Sequence, residues 1–120
     1  MSEAKTYAGG CHCGKVRYEA KLDLEKPVIS CNCSMCGRVG SLLSFIPASE
    51  FKLLAGEDAL TDYLFNKHVI HHRFCPTCGI HPYAVGTDPK GRAMAAINVR
   101  CIEDIDLKSV PVTEFDGRAL

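Results

Sequence analysis

The chain carries no surplus of charge: Lys plus Arg and Asp plus Glu are 14 each, for a formal net charge of zero. That removes the electrostatic signature of a protein that tracks nucleic acid or anionic lipid. No apolar run has the length needed to cross a bilayer, and residues 1–7 are polar and charged, unlike a secretory leader. The expectation is a soluble, cytoplasmic protein with neither a nucleic-acid nor a membrane partner. Internal repeats, low-complexity tracts and linkers are also missing, so the 120 residues read as a single domain, 1–120, with a modest core. Helical periodicity is scarce, which excludes a helix bundle.

Short strands fill that gap. Val16, Tyr18, Ala20 and Leu22 alternate with charged residues, the pattern of a half-buried strand. Further strands are expected at residues 28–31, 42–46 and 51–54. Residues 49–64 have some helical spacing, but Gly56 sits in the middle and predicts two strand-like pieces. Residues 61–65 and 69–74 flank Asn66-Lys67-His68 as a hairpin. Residues 80–85 and 93–99 flank a turn at Asp88-Pro89-Lys90-Gly91, and residues 112–115 form a last strand. Residues 34–40 predict a short helical turn. The fold class is mainly β, with several small antiparallel sheets.

What the sequence does hold is cysteine, eight in all. Seven fall into three clusters: Cys11-His12-Cys13, Cys31-Asn32-Cys33-Ser34-Met35-Cys36 and Cys75-Pro76-Thr77-Cys78-Gly79. In a reducing compartment such spacing favours metal ligation over disulfides, and cysteines one or two residues apart are poor disulfide partners for each other. On a strand, Cys11 and Cys13 present their sulfurs on one face. The C-P-x-C-G run reads as a zinc knuckle, its proline fixing φ and its glycine permitting the close turn. Joining Cys11 and Cys13 to Cys75 and Cys78 gives a closed tetrahedral site and keeps the triplet Cys31, Cys33 and Cys36 whole. Any pairing that splits that triplet strands at least one thiolate.

Cys31, Cys33 and Cys36 then hold a second metal by three sulfurs, with the fourth position open. Three thiolates on Zn²⁺ leave a net charge of about −1, poor for making hydroxide but suited to an incoming soft thiolate. Cys101 offers an alternative. As a fourth sulfur it would close this second site and leave a protein with two staples and no open position.

These residues carry a likeness. Gly9-Gly10-Cys11-His12-Cys13-Gly14-Lys15-Val16-Arg17, the C-x-C-S-x-C run, His72-Arg73-Phe74-Cys75-Pro76-Thr77-Cys78-Gly79 and Ala95-Ala96-Ile97-Asn98-Val99-Arg100-Cys101 resemble, in that order, the glutathione-dependent formaldehyde-activating enzyme family, whose domain also occurs in centromere protein V. The resemblance implies a zinc-stapled β-tent fold. It implies two zinc ions per chain, a structural one on Cys11, Cys13, Cys75 and Cys78 and a catalytic-type one on Cys31, Cys33 and Cys36. It further implies carbon–sulfur lyase chemistry, joining glutathione to formaldehyde to give an S-hydroxymethyl adduct.

Beyond the metal ligands the residues assign no catalytic group. His68, His71, His72 and His81 are candidates for a general acid. Adjacent His71 and His72 should face opposite sides of their strand. Arg38, Lys15 and Arg73 could pair with the substrate's carboxylates. Phe45, Phe51, Tyr63, Phe65, Phe74 and Tyr83 read as core. The competing function is a non-catalytic zinc module that binds another protein. A thiol-redox sensor is disfavoured by the clustering itself.

Overall fold

The structure is a computed structural model and describes residues 4–32, 35–64, 71–88 and 90–116. β1 (Lys5–Gly10) and β2 (Arg17–Leu22) pair antiparallel, with Gly9 opposite Tyr18 and Gly10 opposite Arg17. The alternation legible in this stretch is realised: Val16, Tyr18, Ala20 and Leu22 are buried while Glu19 and Lys21 are exposed. β3 (Val28–Cys31) leads into the second cysteine cluster, and α1 (Cys36–Val39) is a single helical turn ended by Gly40 in a left-handed C-cap. β4 (Leu43–Pro47) follows. β5 (Phe51–Ala55) and β6 (Thr61–Tyr63) are the two strand-like pieces expected on either side of Gly56. β7 (His71–Phe74), β8 (Tyr83–Thr87), β9 (Ala93–Asn98) and β10 (Val112–Phe115) complete the order.

These strands make two sheets. β1-β2-β5 is three-stranded, and β10-β3-β4-β9-β8-β7-β6 is seven-stranded. β6 and β7 pair as expected of a hairpin, although the tip at residues 65–70, including His68, lies outside the described residues. The turn between β8 and β9 is tied by Asp88, whose carboxylate accepts from the backbone of Lys90 and Arg92. One pairing departs from the antiparallel expectation. β10 runs parallel to β3, Val112 beside Val28 and Phe115 beside Cys31. A parallel partner needs a long crossover, and here the chain passes through six strands, five of this sheet and β5 of the other, before returning to β3.

Both sheets contribute to one core. Tyr18, Leu22, Val28, Ile97 and Val99 are almost wholly buried. Three rings join the sheets: Phe51 lies 4.5 Å from Tyr83 and 5.3 Å from Tyr18, centroid to centroid. Such packing is worth roughly 0.5–1.5 kcal/mol per aromatic pair beyond burial. The Tyr18 hydroxyl, however, is buried without a hydrogen-bond partner among the described residues, and an unpaired buried hydroxyl costs about 1–3 kcal/mol. Tyr18→Phe should therefore raise the melting temperature by a few degrees. A lower melting temperature would mean that the hydroxyl has found a partner, such as an ordered water.

Candidate metal centre

Two loops at the edge of the core carry the first centre. After β1 the chain turns through residues 11–14, with Cys11 N–H donating to Val16 O at 3.1 Å and Gly14 N–H to Cys11 O at 3.4 Å. The C-x-C pair thus lies in a turn and not on a strand face as the spacing suggested. The turn still brings its sulfurs together, 3.6 Å apart. After β7 the second loop closes as a knuckle: Gly79 N–H reaches Cys75 O at 2.7 Å, and Cys75 N–H reaches Ile80 O at 3.0 Å. Lys15 Nζ donates to Thr77 Oγ1 at 3.1 Å, linking the loops.

The sulfurs of Cys11, Cys13, Cys75 and Cys78 all lie within 4.8 Å of one another, and Cys13 and Cys75 are 3.6 Å apart. A tetrahedron with metal–sulfur bonds of about 2.3 Å has edges of about 3.8 Å, so this donor set fits a metal ion. Its electrostatics fit too. Cys11 Sγ accepts from Val16 N–H at 3.3 Å. Backbone N–H groups of Cys78 and Thr77 hold the Cys75 thiol below its ordinary value, and those of Cys13 and Ile80 bring Cys78 down to about 6. A backbone contact from Lys15 pulls Cys13 the same way, but burial and the sulfurs of Cys11, Cys75 and Cys78 push it up to about 11. Four thiols crowded together resist sharing negative charge, and donors aimed at sulfur are what thiolate ligands need.

The second cluster sits elsewhere, at the end of β3 and the start of α1. Cys31 and Cys36 are partly exposed; in the first cluster Cys11 and Cys75 are buried, Cys78 is partly exposed and Cys13 is exposed. Cys33 lies outside the described residues. Cys101 Sγ donates to His81 O at 3.8 Å. Burial, then the charges of Cys11 and Cys78, push that thiol up to about 11. It is not among the four clustered sulfurs.

The basic candidates separate. Arg73 pairs with Asp62 and donates to Tyr83 Oη, and Lys15 is committed to Thr77. His71 Nδ1 meets Asp62 Oδ2 at 3.0 Å, and its neighbour His72 follows it on β7. His81 stacks on Phe74 at 5.2 Å. Two residues that the sequence reading passed over matter here. Asn98, buried, accepts from Leu42 N–H and Arg100 N–H and donates to His81 O. Arg100 Nε donates to Gly40 O at 3.0 Å. A polar Asn-x-Arg directly after an apolar strand was the available signal.

His72 is held below the ordinary 6.5 by burial and then by His81, and His81 is lowered by burial. Both are neutral in the folded protein near pH 7. Below about pH 6.5 the unfolded chain takes up these protons while the folded chain resists, so stability is complete above that value and falls as pH drops. Melting temperature should decline from pH 7 to pH 5, and His72→Gln with His81→Gln should flatten that decline. An identical slope in the double variant would clear these two residues.

Fold and site together define a mainly β protein with a four-cysteine cluster that can hold a metal ion. Among the described residues no helix is long and apolar enough to cross a membrane. Residues 6–115 match the family model of the glutathione-dependent formaldehyde-activating enzyme, and the chain belongs to that family. It is also similar to a Rhodobacter sphaeroides protein of known crystal structure. The two are 30% identical over 88% of this chain and 99% of that one, with a TM-score of 0.76.

Proposed function

We propose that the protein is a cytoplasmic zinc enzyme of the carbon–sulfur lyase type. It joins glutathione, or a similar small thiol, to formaldehyde or another small aldehyde to give an S-hydroxymethyl adduct. Two zinc ions serve it, a structural one on Cys11, Cys13, Cys75 and Cys78 and a second on Cys31, Cys33 and Cys36. When bound at the second cluster, zinc supplies a positive centre that favours the thiolate form of a sulfur substrate at neutral pH.

One contrast supports this reading within the family match: the first cluster gathers four sulfurs, enough to saturate a metal ion, whereas the second cluster offers three cysteines. Cys31 and Cys36 keep partial contact with solvent. Four protein ligands close a zinc site, and three leave a position for substrate. Cys31 and Cys36 are also anchored on different elements, β3 and α1.

The test is exchange NMR with ¹³C-formaldehyde and glutathione, since adduct formation also proceeds unaided. The native protein should speed exchange between free and hydroxymethylated thiol, and Cys36→Ser should remove that acceleration along with one zinc of two. No acceleration by zinc-loaded protein would favour the non-catalytic interaction module.

A further inference from the structure

We propose that Arg100 is a specificity-determining residue that selects carboxylate-bearing thiols at the second cysteine cluster. The inference rests on reading that cluster as a thiol site, and it names the feature of the thiol that is recognised.

Arg100 lies in the 3-10 turn Val99–Cys101 that follows β9. Its backbone is pinned: Arg100 N–H donates to Asn98 Oδ1 at 3.2 Å, and Val99 N–H to Leu42 O at 2.8 Å. Its side chain crosses to the second cluster, where Nε donates to the carbonyl of Gly40 at 3.0 Å. Gly40 N–H is bonded in turn to Cys36 O at 2.9 Å, so the guanidinium rests on the helical turn that begins with Cys36. In the ladder, Leu43 lies between Asn98 on one side and Ile29, two residues before Cys31, on the other. Arg100 therefore stands at the same end of the sheet as both described cysteines of the cluster.

A guanidinium offers five N–H donors in a rigid fork, and the Gly40 contact uses one. Arg17, Arg73 and Arg92 each face a carboxylate of this chain. Among the described residues Arg100 faces only a backbone carbonyl, and it is exposed. Its terminal nitrogens make no hydrogen bond or ion pair to any described residue, so no described residue fills their bidentate carboxylate position. The charge balance gives that position a purpose. Three thiolates and a divalent ion are already net negative, and a thiolate substrate with two carboxylates adds more of the same sign. An adjacent cation offsets that repulsion and fixes the orientation in which the sulfur arrives.

Arginine beside a helix C-terminus also serves as a cap, so the experiment must separate the two roles. Calorimetric titration of the zinc-loaded protein with glutathione, and with its diethyl ester, reads the ratio of the two affinities. Wild type should prefer free glutathione about tenfold or more, and added salt should erode that preference. Arg100→Gln should bring the ratio close to one, and Arg100→Lys should restore part of it. A capping role alone would weaken both ligands alike and keep the ratio. Equal affinities in wild type, or a preference that survives in Arg100→Gln, would overturn the inference and leave the thiol site standing. Binding of neither ligand would defeat that site as well. Should Arg100→Gln fail to fold, Arg100→Lys decides: a lowered ratio supports the inference, and an unchanged ratio overturns it.

Discussion

Cys75→Ser should abolish the cooperative thermal transition of this protein, and a strong chelator should do the same to the unaltered chain. Cys75 has no exposed surface and sits in the core cluster as well as in the sulfur cluster. The loops that meet there come from residues 11–16 and 75–80, and apart from sulfur they share the Lys15–Thr77 hydrogen bond, which is exposed. A structural zinc of this kind contributes on the order of ten kcal/mol to folding, comparable with the whole net stability of about 5–15 kcal/mol for an ordinary domain. The serine variant keeps the volume but loses the soft ligand, and it leaves three thiols facing one another without an ion. Circular dichroism melts with parallel zinc analysis provide the measurement, and Cys36→Ser is the comparison, expected to lose zinc yet keep its transition. Melting of Cys75→Ser within a few degrees of wild type would remove the staple from the account.

The second large effect is expected at Gly56, where an alanine should cost about 3 kcal/mol or more. Gly56 has φ +95°, and a Cβ there would lie 2.4 Å from Lys15 O and 2.8 Å from Val16 Cα. Both atoms are backbone and cannot swing aside. From the other side a Cβ at Gly10 would lie 2.0 Å from Val16 O. The segment leaving the Cys11–Cys13 loop is thus clamped between two glycines, and displacing it moves the sulfurs. Left-handed strain alone is worth roughly 1–3 kcal/mol. Gly91, with φ +82° and nothing within 4 Å, isolates that component. Denaturant titration should place Gly91→Ala below wild type by the strain component of roughly 1–3 kcal/mol and Gly56→Ala further below, with reduced zinc content. Equal losses in the two variants would mean that the close approach at Gly56 is not felt.

Local features of the fold were legible in the sequence because they are written in local chemistry. The alternation from Val16 to Leu22, the break at Gly56 and the Asp88 turn each depend on neighbours a few residues away. The spacing of the cysteine pairs also pointed to the four sulfurs that the structure gathers. The C-x-C pair failed as a strand motif because the chain reverses at His12 to Gly14, and two sulfurs can meet across a turn as readily as along a strand. The parallel pairing of β10 with β3 was not legible, since nothing in Val112 to Phe115 names a partner near the start of the chain. Asn98 and Arg100 were hidden for a related reason. Their value lies in contacts to Leu42, His81 and Gly40, which only the tertiary arrangement supplies.

The parallel seam between β3 and β10 makes the two cysteine clusters depend on different parts of the chain. All four sulfurs of the first cluster come from residues 11–78, whereas Cys31 takes a flanking strand from residues 112–115. Removing residues 112–116 would therefore strip the edge beside Cys31 while every ligand of the first cluster stays in the chain.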